Sequence, residues 1–270
     1  MRKIFILGAL AAAVMISAQT VTLTKATKNK YNALIEEGIK KGLTKSEATE
    51  QALEDGDFKS MYLADLKKSN KKMSKEGIII SKNFIQITNH KKVAILPFST
   101  KIVSDKKKQS KKENIKIAEN AMDVIQEKMY RHFAKNQFDY FVEFQDVDRT
   151  NQILRSSGLW NNLSRTPTEE IAKALGVDAV IRGDYEQGKE ERNVAEKVAG
   201  TYAQIATFGL AGGKKNEGTL NLSIADAATG EVLWRRESND VSSSDKTEKI
   251  IDYIMKSITK SFPYHNNLIE

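Results

Sequence analysis

Two short segments, each next to a recognisable helix, limit what this chain can fold into more than any other feature. The first is the continuous apolar run Val93 to Leu96 in "KKVAILPF", and the second is the mainly apolar Val177 to Arg182 in "KALGVDAVIRGDY". A continuous apolar run is typical of a strand that is buried on both faces of a sheet, and we expect the second segment to be a buried strand as well. Because helices join the strands, we expect parallel pairing within one sheet.

The ends of these elements carry their own signals. Pro97 is expected to end the first strand because proline has no amide donor. Before the second strand, Thr166 is expected to cap a helix, with Pro167 at its first position and Glu169 completing a capping box. Gly176 then permits the left-handed residue that commonly follows a helix.

Further patterns complete an α/β order. Strands are expected within Gly77 to Ile87 and Phe138 to Phe144, with a long amphipathic helix at Glu113 to Lys135 between them. Alternation and a turn predict a hairpin over Gly218 to Ser238. An amphipathic helix over Ser244 to Pro263 closes the chain. This order predicts an α/β fold with a mixed sheet covered by helices.

The chain divides into segments of different character. Residues 1–18, which carry two basic residues, an apolar run and a small-residue end, are predicted to be a signal peptide. Residues 19–76 form a charged helical N-terminal extension, and 77–264 form the α/β domain, with an insertion at about 188–217. Residues 265–270 are a tail. The extension is interpreted either as a partner-binding arm or as a helical cover docked on the domain.

The absence of cysteine excludes several kinds of site. The chain has no Cys, so disulfides, zinc–thiolate sites, a cysteine nucleophile and the acylated cysteine of a bacterial lipoprotein are ruled out. It is also basic, with 43 Lys and Arg against 35 Asp and Glu. Because residues 1–18 are a predicted signal peptide and cysteine is absent, we expect an exported, periplasmic protein that is at most peripheral to the outer membrane and is not a lipoprotein.

No catalytic, cofactor or metal residues are predicted. The three histidines, His90, His132 and His265, lack ligand-like spacing, and the common nucleophile, phosphate-loop and dinucleotide motifs are missing. We expect no cofactor and no enzyme activity. A cell-wall-acting enzyme with paired carboxylates stays open as the least favoured reading, since the separation of two acids depends on the fold.

Two segments are candidates for binding. A lysine-rich loop is either a solvated loop or an electrostatic site for a protein partner, and its residues are Lys106, Lys107, Lys108, Lys111 and Lys112. It has no interleaved aromatic residue, so nucleic acid is not an expected partner. The stretch "KVAGTYAQIATFGLAGG" is either a helical insertion lying on the domain or a membrane-contacting or oligomer-forming element, through Val198, Tyr202, Ile205, Phe208 and Leu210.

Three motifs together resemble a known bacterial family. "KKVAILPF", "KALGVDAVIRGDY" and "NLSIADAATGEVLW" occur in this order within Lys91 to Pro263. They resemble an envelope superfamily that includes the curli secretion channel subunit CsgG, the penicillin-binding-protein activator LpoB and, more distantly, the amino-terminal domain of TolB. The residues that match its pattern are Val93, Pro97, Phe98, Gly176, Asp178, Gly183, Gly230 and Trp234.

This resemblance implies an α/β domain of the anticodon-binding-like type without catalytic residues, acting by protein contacts at the cell envelope. The expected partners are envelope proteins, with a homo-oligomer and a peripheral outer-membrane contact also considered. The alternative is a CsgG-like subunit of an outer-membrane assembly or secretion complex of the curli type. Against it, the CsgG pattern needs a second membrane hairpin where this chain has only the polar Ser238 to Ser244.

Overall fold

The structure is a computed structural model that describes residues 21–102, 111–187 and 218–240, with 252, 255, 258 and 261–265. Within these residues the α-helices are α1 (Lys25–Lys40), α2 (Lys45–Glu54), α3 (Gly56–Met73), α4 (Lys111–Lys135), α5 (Val147–Ser156) and α6 (Thr168–Leu175). The strands are β1 (Ile78–Ile80), β2 (Lys92–Ile95), β3 (Ser99–Ile102), β4 (Glu143–Phe144), β5 (Ala179–Gln187), β6 (Gly218–Asp226) and β7 (Val232–Asp240). Short 3-10 helices cover Ser74–Glu76, Phe84–Asn89, Gln137–Asp139 and Trp160–Asn162.

The strands form one mixed sheet. Its order is β1-β7-β6-β5-β2-β4, and β3 pairs with β5 beyond the end of β2. The pairs β2/β4, β2/β5 and β3/β5 are parallel, whereas β5/β6, β6/β7 and β1/β7 are antiparallel. Pro97 separates β2 from β3, as expected for a residue without an amide donor. The prediction of an α/β fold with a mixed sheet covered by helices is confirmed.

One face of the sheet carries the larger core. Ile125, Met129 and Phe133 of α4 are completely buried there, and the Phe133 ring stacks on the Phe262 ring at a centroid distance of 4.4 Å. Met255 and Ile258, which are helical and buried, belong to the same core. The predicted stripe on the long helix therefore faces the sheet at Ile125, Met129 and Phe133, and so do the described residues Met255 and Ile258 of the predicted closing helix.

A smaller core fills part of the opposite face. Leu154 of α5 and Ile171 of α6 are fully buried there against Ala94 and Val180 of the sheet. Since β2 and the start of β5 lie between the two cores, the apolar residues Val93 to Ile95 and Ala179 to Ile181 are explained.

The three N-terminal helices share the larger core. The rings of Tyr31 in α1 and Tyr62 in α3 each lie 5.5 Å from the ring of Phe58. The backbone N–H of Ile85 donates to the Tyr62 hydroxyl at 3.0 Å, which ties α3 to the chain entering the sheet. These helices are thus docked on the α/β domain through a continuous core, as in the cover interpretation of this segment.

The expected strand over Gly77 to Ile87 is mostly wrong. Only Ile78–Ile80 pairs with β7, and Phe84–Asn89 form a 3-10 helix instead. The Ser81 hydroxyl and the Asn83 amide both donate to the Glu231 carboxylate, which turns the chain away from the sheet. Phe84, Ile85 and Ile87 are all buried, and an alternating strand could not send consecutive side chains into one core.

Two smaller expectations are also corrected. Thr166 does not cap α6, because its hydroxyl donates to the Asn162 carbonyl at 2.9 Å and Pro167 is the N-cap residue. The strand expected at Phe138 to Phe144 is reduced to Glu143–Phe144. The residues before it turn instead, so that Tyr140 meets the Phe133 ring edge-on, at 5.4 Å between centroids.

Several residues that carry the family resemblance have visible structural roles. The Asp178 carboxylate accepts from the N–H groups of Lys91 and Lys92 at 2.8 and 2.9 Å, which fixes the start of β2. Gly176 is left-handed, with φ of 65°. A Cβ on Gly183 would overlap the Phe98 ring, so this strand position accepts glycine alone without rearrangement.

Candidate interaction surfaces

The candidate residues named from the sequence lie outside the residues whose side chains are described. Lys106, Lys107 and Lys108 fall in 103–110, and the five apolar candidates from Val198 to Leu210 fall in 188–217. Lys111 and Lys112 belong to the first turn of α4, where the backbone is described but the side chains are not. Both segments therefore stay predictions, and the candidate surfaces below come from other residues.

The structure brings a histidine, a carboxylate and a hydroxyl together inside the fold. His90 Nδ1 lies 2.7 Å from the Tyr264 hydroxyl, and His90 Nε2 lies 2.9 Å from Asp226 Oδ1. The other oxygen of Asp226 accepts from the Thr229 backbone N–H and from its hydroxyl, each at 2.8 Å. This buried cluster joins the entry to β2, the turn between β6 and β7, and the segment that closes the chain.

The cluster contains side chains that can transfer protons, but its burial keeps a substrate from reaching them. His90 is 3% exposed, Asp226 7% and Tyr264 0%. Burial raises the pKa of Asp226, but the hydrogen bonds from His90 and Thr229 outweigh it, so the pKa of this carboxyl is lowered overall. Burial also raises the pKa of the Tyr264 hydroxyl well above its usual value. A charged Asp226 with all its partners inside is therefore a structural tie, since a general acid or base must reach its substrate.

Other described groups offer no metal or membrane-spanning element. Within the described ranges, His, Asp and Glu nowhere gather in a group of three or more that would hold a metal ion. Among the same residues, no helix is both long and apolar enough to cross a bilayer.

An apolar pocket lies between the N-terminal helices and the 3-10 helix Phe84–Asn89. Its walls include Val21, Leu23, Phe84 and Ile85, and nearly all of its lining is apolar. The Tyr62 hydroxyl that borders it already accepts from the Ile85 N–H. The pocket is thus suited mainly to an apolar group, and the polar side chains of Lys28 and Asn32 also belong to its lining.

The sheet face opposite the larger core is polar where α5 and α6 no longer cover it. Pairing places Ser223 beside Arg182 and Arg235, and Arg235 beside Ile79. The next row contains Asp184, Asn221 and Glu237. With strands about 4.8 Å apart, four strands give a pleated surface about 14 Å wide. We call these seven residues the polar sheet face: Ile79, Arg182, Asp184, Asn221, Ser223, Arg235 and Glu237.

Some members of this face are tied to neighbours. Arg182 donates to the carbonyls of Leu163 and Thr166 at 3.1 and 3.2 Å, which marks the edge of the α5 and α6 layer. The Asn221 amide donates to Asp184 Oδ2 at 2.6 Å. These bonds hold the margin of the face in a fixed position.

Arg235 differs from them. Its side chain is half-buried, and in the described part of the chain it makes no hydrogen bond or ion pair. Burial lowers the pKa of its guanidinium, and the carboxylates of Asp184 and Glu237 oppose that change. Its neighbour across the strand pair, Ile79, is 43% exposed. The five N–H donors of the Arg235 guanidinium therefore lack acceptors among the described residues and lie next to the exposed side chain of Ile79.

The sequence gives only a partial signal for this face. The alternation in "GTLNLSIAD" predicts that Asn221 and Ser223 lie on one side of a strand. It contains no information on which side chains of β7 and β1 join them, because the register between distant strands is set by the fold. Ile79 and Arg235 were consequently missed.

Comparisons with known proteins find only distant likenesses. No protein-family model and no curated protein match the chain. Among solved structures, a lipoprotein from Neisseria meningitidis is similar with a TM-score of 0.37 and 10% identity, over 63% of this chain and 98% of that one. The LpoB C-terminal domain from Salmonella enterica gives 0.29 and 12%, over 56% and 83%. A PelC dodecamer structure from Paraburkholderia phytofirmans gives 0.32 and 11%, over 63% and 87%.

LpoB domains from two organisms are among these similar structures. The resemblance to LpoB predicted from the sequence is confirmed to this extent. With such low identities and scores, the likeness carries no argument about the activity, partner or assembly of this chain.

Proposed function

We propose that this protein is an exported, non-enzymatic component of the bacterial cell envelope that acts by binding another envelope protein. The polar sheet face is the proposed contact surface, with Arg235 at its centre. The observation that carries the proposal is the half-buried guanidinium of Arg235, which makes no hydrogen bond or ion pair with any described residue and lies beside the exposed Ile79.

The chemistry of this pair suits a protein partner. Arginine is enriched among the residues that dominate binding energy at interfaces, and such residues tend to be surrounded by contacts that exclude water. Part of the desolvation of Arg235 has already occurred in the free protein, so a partner carboxylate would form a charge-assisted bond at reduced cost. A pleated surface is also flat, unlike the concave sites that bind small molecules.

Sequence features support the placement in the envelope. Residues 1–18 have the pattern of a leader, and the three motifs resemble domains that act by protein contacts at the cell envelope. The predicted lysine loop would add a second, electrostatic contact if it lies near the same partner.

The first experiment tests the contact in the native host. A photoreactive p-benzoylphenylalanine replaces Ile79 in one strain and the exposed Glu170 of α6 in a control strain. We expect a discrete cross-linked adduct in the periplasmic or membrane fraction from position 79 only. The adduct should be lost with Arg235→Glu and kept with the exposed control Arg165→Glu.

Each result has a defined meaning. Adducts of equal intensity from both positions, or an adduct indifferent to Arg235→Glu, would contradict the proposed surface. Recovery of the protein solely from the cytoplasm would contradict export. A large detergent-stable ring in the outer membrane that depends on Val198 to Leu210 would favour the CsgG-like alternative instead.

A further inference from the structure

The outer side of α3 is unusually uniform in charge. From Asp65 to Lys75, the exposed residues are five lysines and Ser74. Lys75 belongs to the 3-10 helix Ser74–Glu76, which continues α3. At a rise of 1.5 Å per residue, the lysines extend over about 12 Å. We call them the lysine face, and they are Lys67, Lys68, Lys71, Lys72 and Lys75.

None of these five side chains has a partner in the described part of the chain. The ion pairs of described residues involve other lysines, such as Lys30 with Asp55 and Lys41 with Glu37. Within the described ranges these side chains make no ion pair, and Lys68 acts on the pKa of Asp65 only through its charge, less strongly than burial and hydrogen bonding do. Most of the charge of the five lysines is therefore uncompensated by described residues.

The acidic residues of the same stretch point the other way. Asp65 is 4% exposed and accepts from the Thr24 N–H and the Thr27 hydroxyl at 2.8 and 2.7 Å. Glu76 is half-buried and lies near enough to Arg236 to act on its pKa. Asp65 and Glu76 thus face the domain while the five ammonium groups face solvent, and the exposed Asp57 lies in the first turn of α3, well before Lys67.

The neighbouring helices do not show this separation. On α2 the exposed charged residues are Lys45 together with Glu47, Glu50 and Glu54. At the end of α1, the Lys41 ammonium is paired with the Glu37 carboxylate at 2.6 Å. Mixed signs of this kind are what solubility alone requires. The single sign on α3 therefore needs a different explanation.

The lysine face is held in place from behind. Phe58, Tyr62, Leu66 and Met73 of the same helix are buried in the larger core. The helix is consequently fixed against the domain, and its lysine stems project from one side. Leu63, one turn before Lys67 in the same row, is 39% exposed.

The composition of this face distinguishes among anionic partners. It contains no arginine, which is the residue suited to fixed bidentate recognition of carboxylates and phosphates. It also has no exposed aromatic residue on which a nucleobase could stack. The flexible ammonium groups and the neighbouring exposed Leu63 suit a membrane surface, where mobile phosphate headgroups lie above an apolar layer.

We propose that the lysine face is a peripheral binding site for anionic phospholipid at a membrane surface. A cluster of this size is sufficient for electrostatic attachment to a negative bilayer without a lipid anchor or a spanning helix. The proposal does not depend on the protein contact at the polar sheet face, because the two surfaces share no residue.

The test uses the purified protein and vesicles. Co-sedimentation is measured with phosphatidylglycerol and phosphatidylcholine mixtures and with phosphatidylcholine alone. We expect binding to the anionic vesicles only, and weaker binding as salt is raised. Replacing all five lysines of the face with glutamine should lower the partition coefficient by ~100-fold or more.

A matched variant separates the site from net charge. It replaces five exposed lysines at scattered positions with glutamine, namely Lys25, Lys40, Lys82, Lys135 and Lys173. This control should lose at most about 5-fold, since only the long-range attraction is reduced. Circular dichroism should show that both variants remain folded.

Two outcomes would overturn the proposal. If the two variants lose binding equally, the attachment reflects net charge and not α3. If the wild type fails to bind anionic vesicles, the lysine face has no affinity for lipid, and the cross-linking experiment at Ile79 remains an independent test of the protein contact.

Discussion

The buried cluster of His90, Asp226 and Tyr264 and the lysine face of α3 show opposite uses of polar side chains. In the cluster, every polar atom has a partner within the fold, at distances from 2.7 to 2.9 Å. On the lysine face, no ammonium group makes a hydrogen bond or ion pair with a described residue. The comparison teaches that proximity of reactive groups is a poor guide to function, whereas access and unpaired capacity identify the groups available to another molecule.

The largest effect should come from breaking the cluster. Asp226→Ala removes the acceptor of His90 and of both Thr229 donors in a site where water has no access. We expect it to lower the free energy of unfolding by about 3 kcal/mol, measured by urea denaturation. Asp226→Asn, which keeps one acceptor, should cost less. Equal stability of Asp226→Ala and the wild type would show that the cluster is not a structural tie.

A second internal change tests packing without altering charge. Gly183→Ala should cost about 2 kcal/mol, because its Cβ would overlap the Phe98 ring. In the double variant with Phe98→Leu, the loss in free energy of unfolding should be smaller than the sum of the two single losses, since leucine leaves space for the new Cβ. The control Gly56→Ala, which has open space around it, should leave the urea midpoint nearly unchanged.

Lowering the pH should reduce the free energy of unfolding through the buried carboxylate of Asp226. Its folded pKa is lowered, so its stabilisation is complete above the unfolded pKa of about 3.9 and is lost as the pH falls through the lower folded value. Between about pH 6 and pH 3, the stability gap between the wild type and Asp226→Asn should narrow by about 1 kcal/mol. Urea titrations at each pH measure this gap. A constant gap would contradict the role assigned to the carboxylate.

The smallest effect on stability should come from changes to the exposed lysine face. Replacing the five lysines of α3 with glutamine should change the melting temperature by less than about 2 °C, since unpaired exposed charges contribute little to folding. Differential scanning calorimetry at low and high salt measures this change. A large loss would mean that the lysines support the fold, and the comparison between inside and outside would fail.

Much of the fold was accessible from local patterns. The runs at Val93 and Val177 predicted central strands, and alternation in Gly218 to Ser238 predicted the hairpin, because burial on one or two faces leaves a direct mark on composition. The capping box of Thr44 and Glu47 at the start of α2 is a pattern of the same kind, since its partners are three residues apart. Patterns that depend on near neighbours thus predicted most of these elements, although Thr166, which was expected to cap a helix, bonds to the Asn162 carbonyl instead.

Other features were hidden because their partners are distant in sequence. The 3-10 helix Phe84–Asn89 depends on Glu231, which binds Ser81 and Asn83 from about 150 residues away. The sequence shows only that His90 lacks ligand-like spacing, and its partners, Asp226 and Tyr264, are 136 and 174 residues away along the chain. Local reading failed at these sites because a long-range bond overrides a local preference.

The sequence by itself determined most of the secondary elements, the α/β class and the excess of positive charge, all of which follow from composition and short-range periodicity. Only the tertiary structure decided which polar groups are enclosed and which have no partner among the described residues. It buried His90, turned Asp65 inward, left Arg235 beside Ile79 without a hydrogen bond or ion pair to described residues, and set five lysines on one side of α3. Access to solvent and to other molecules depends on how distant segments pack, and no local pattern encodes it.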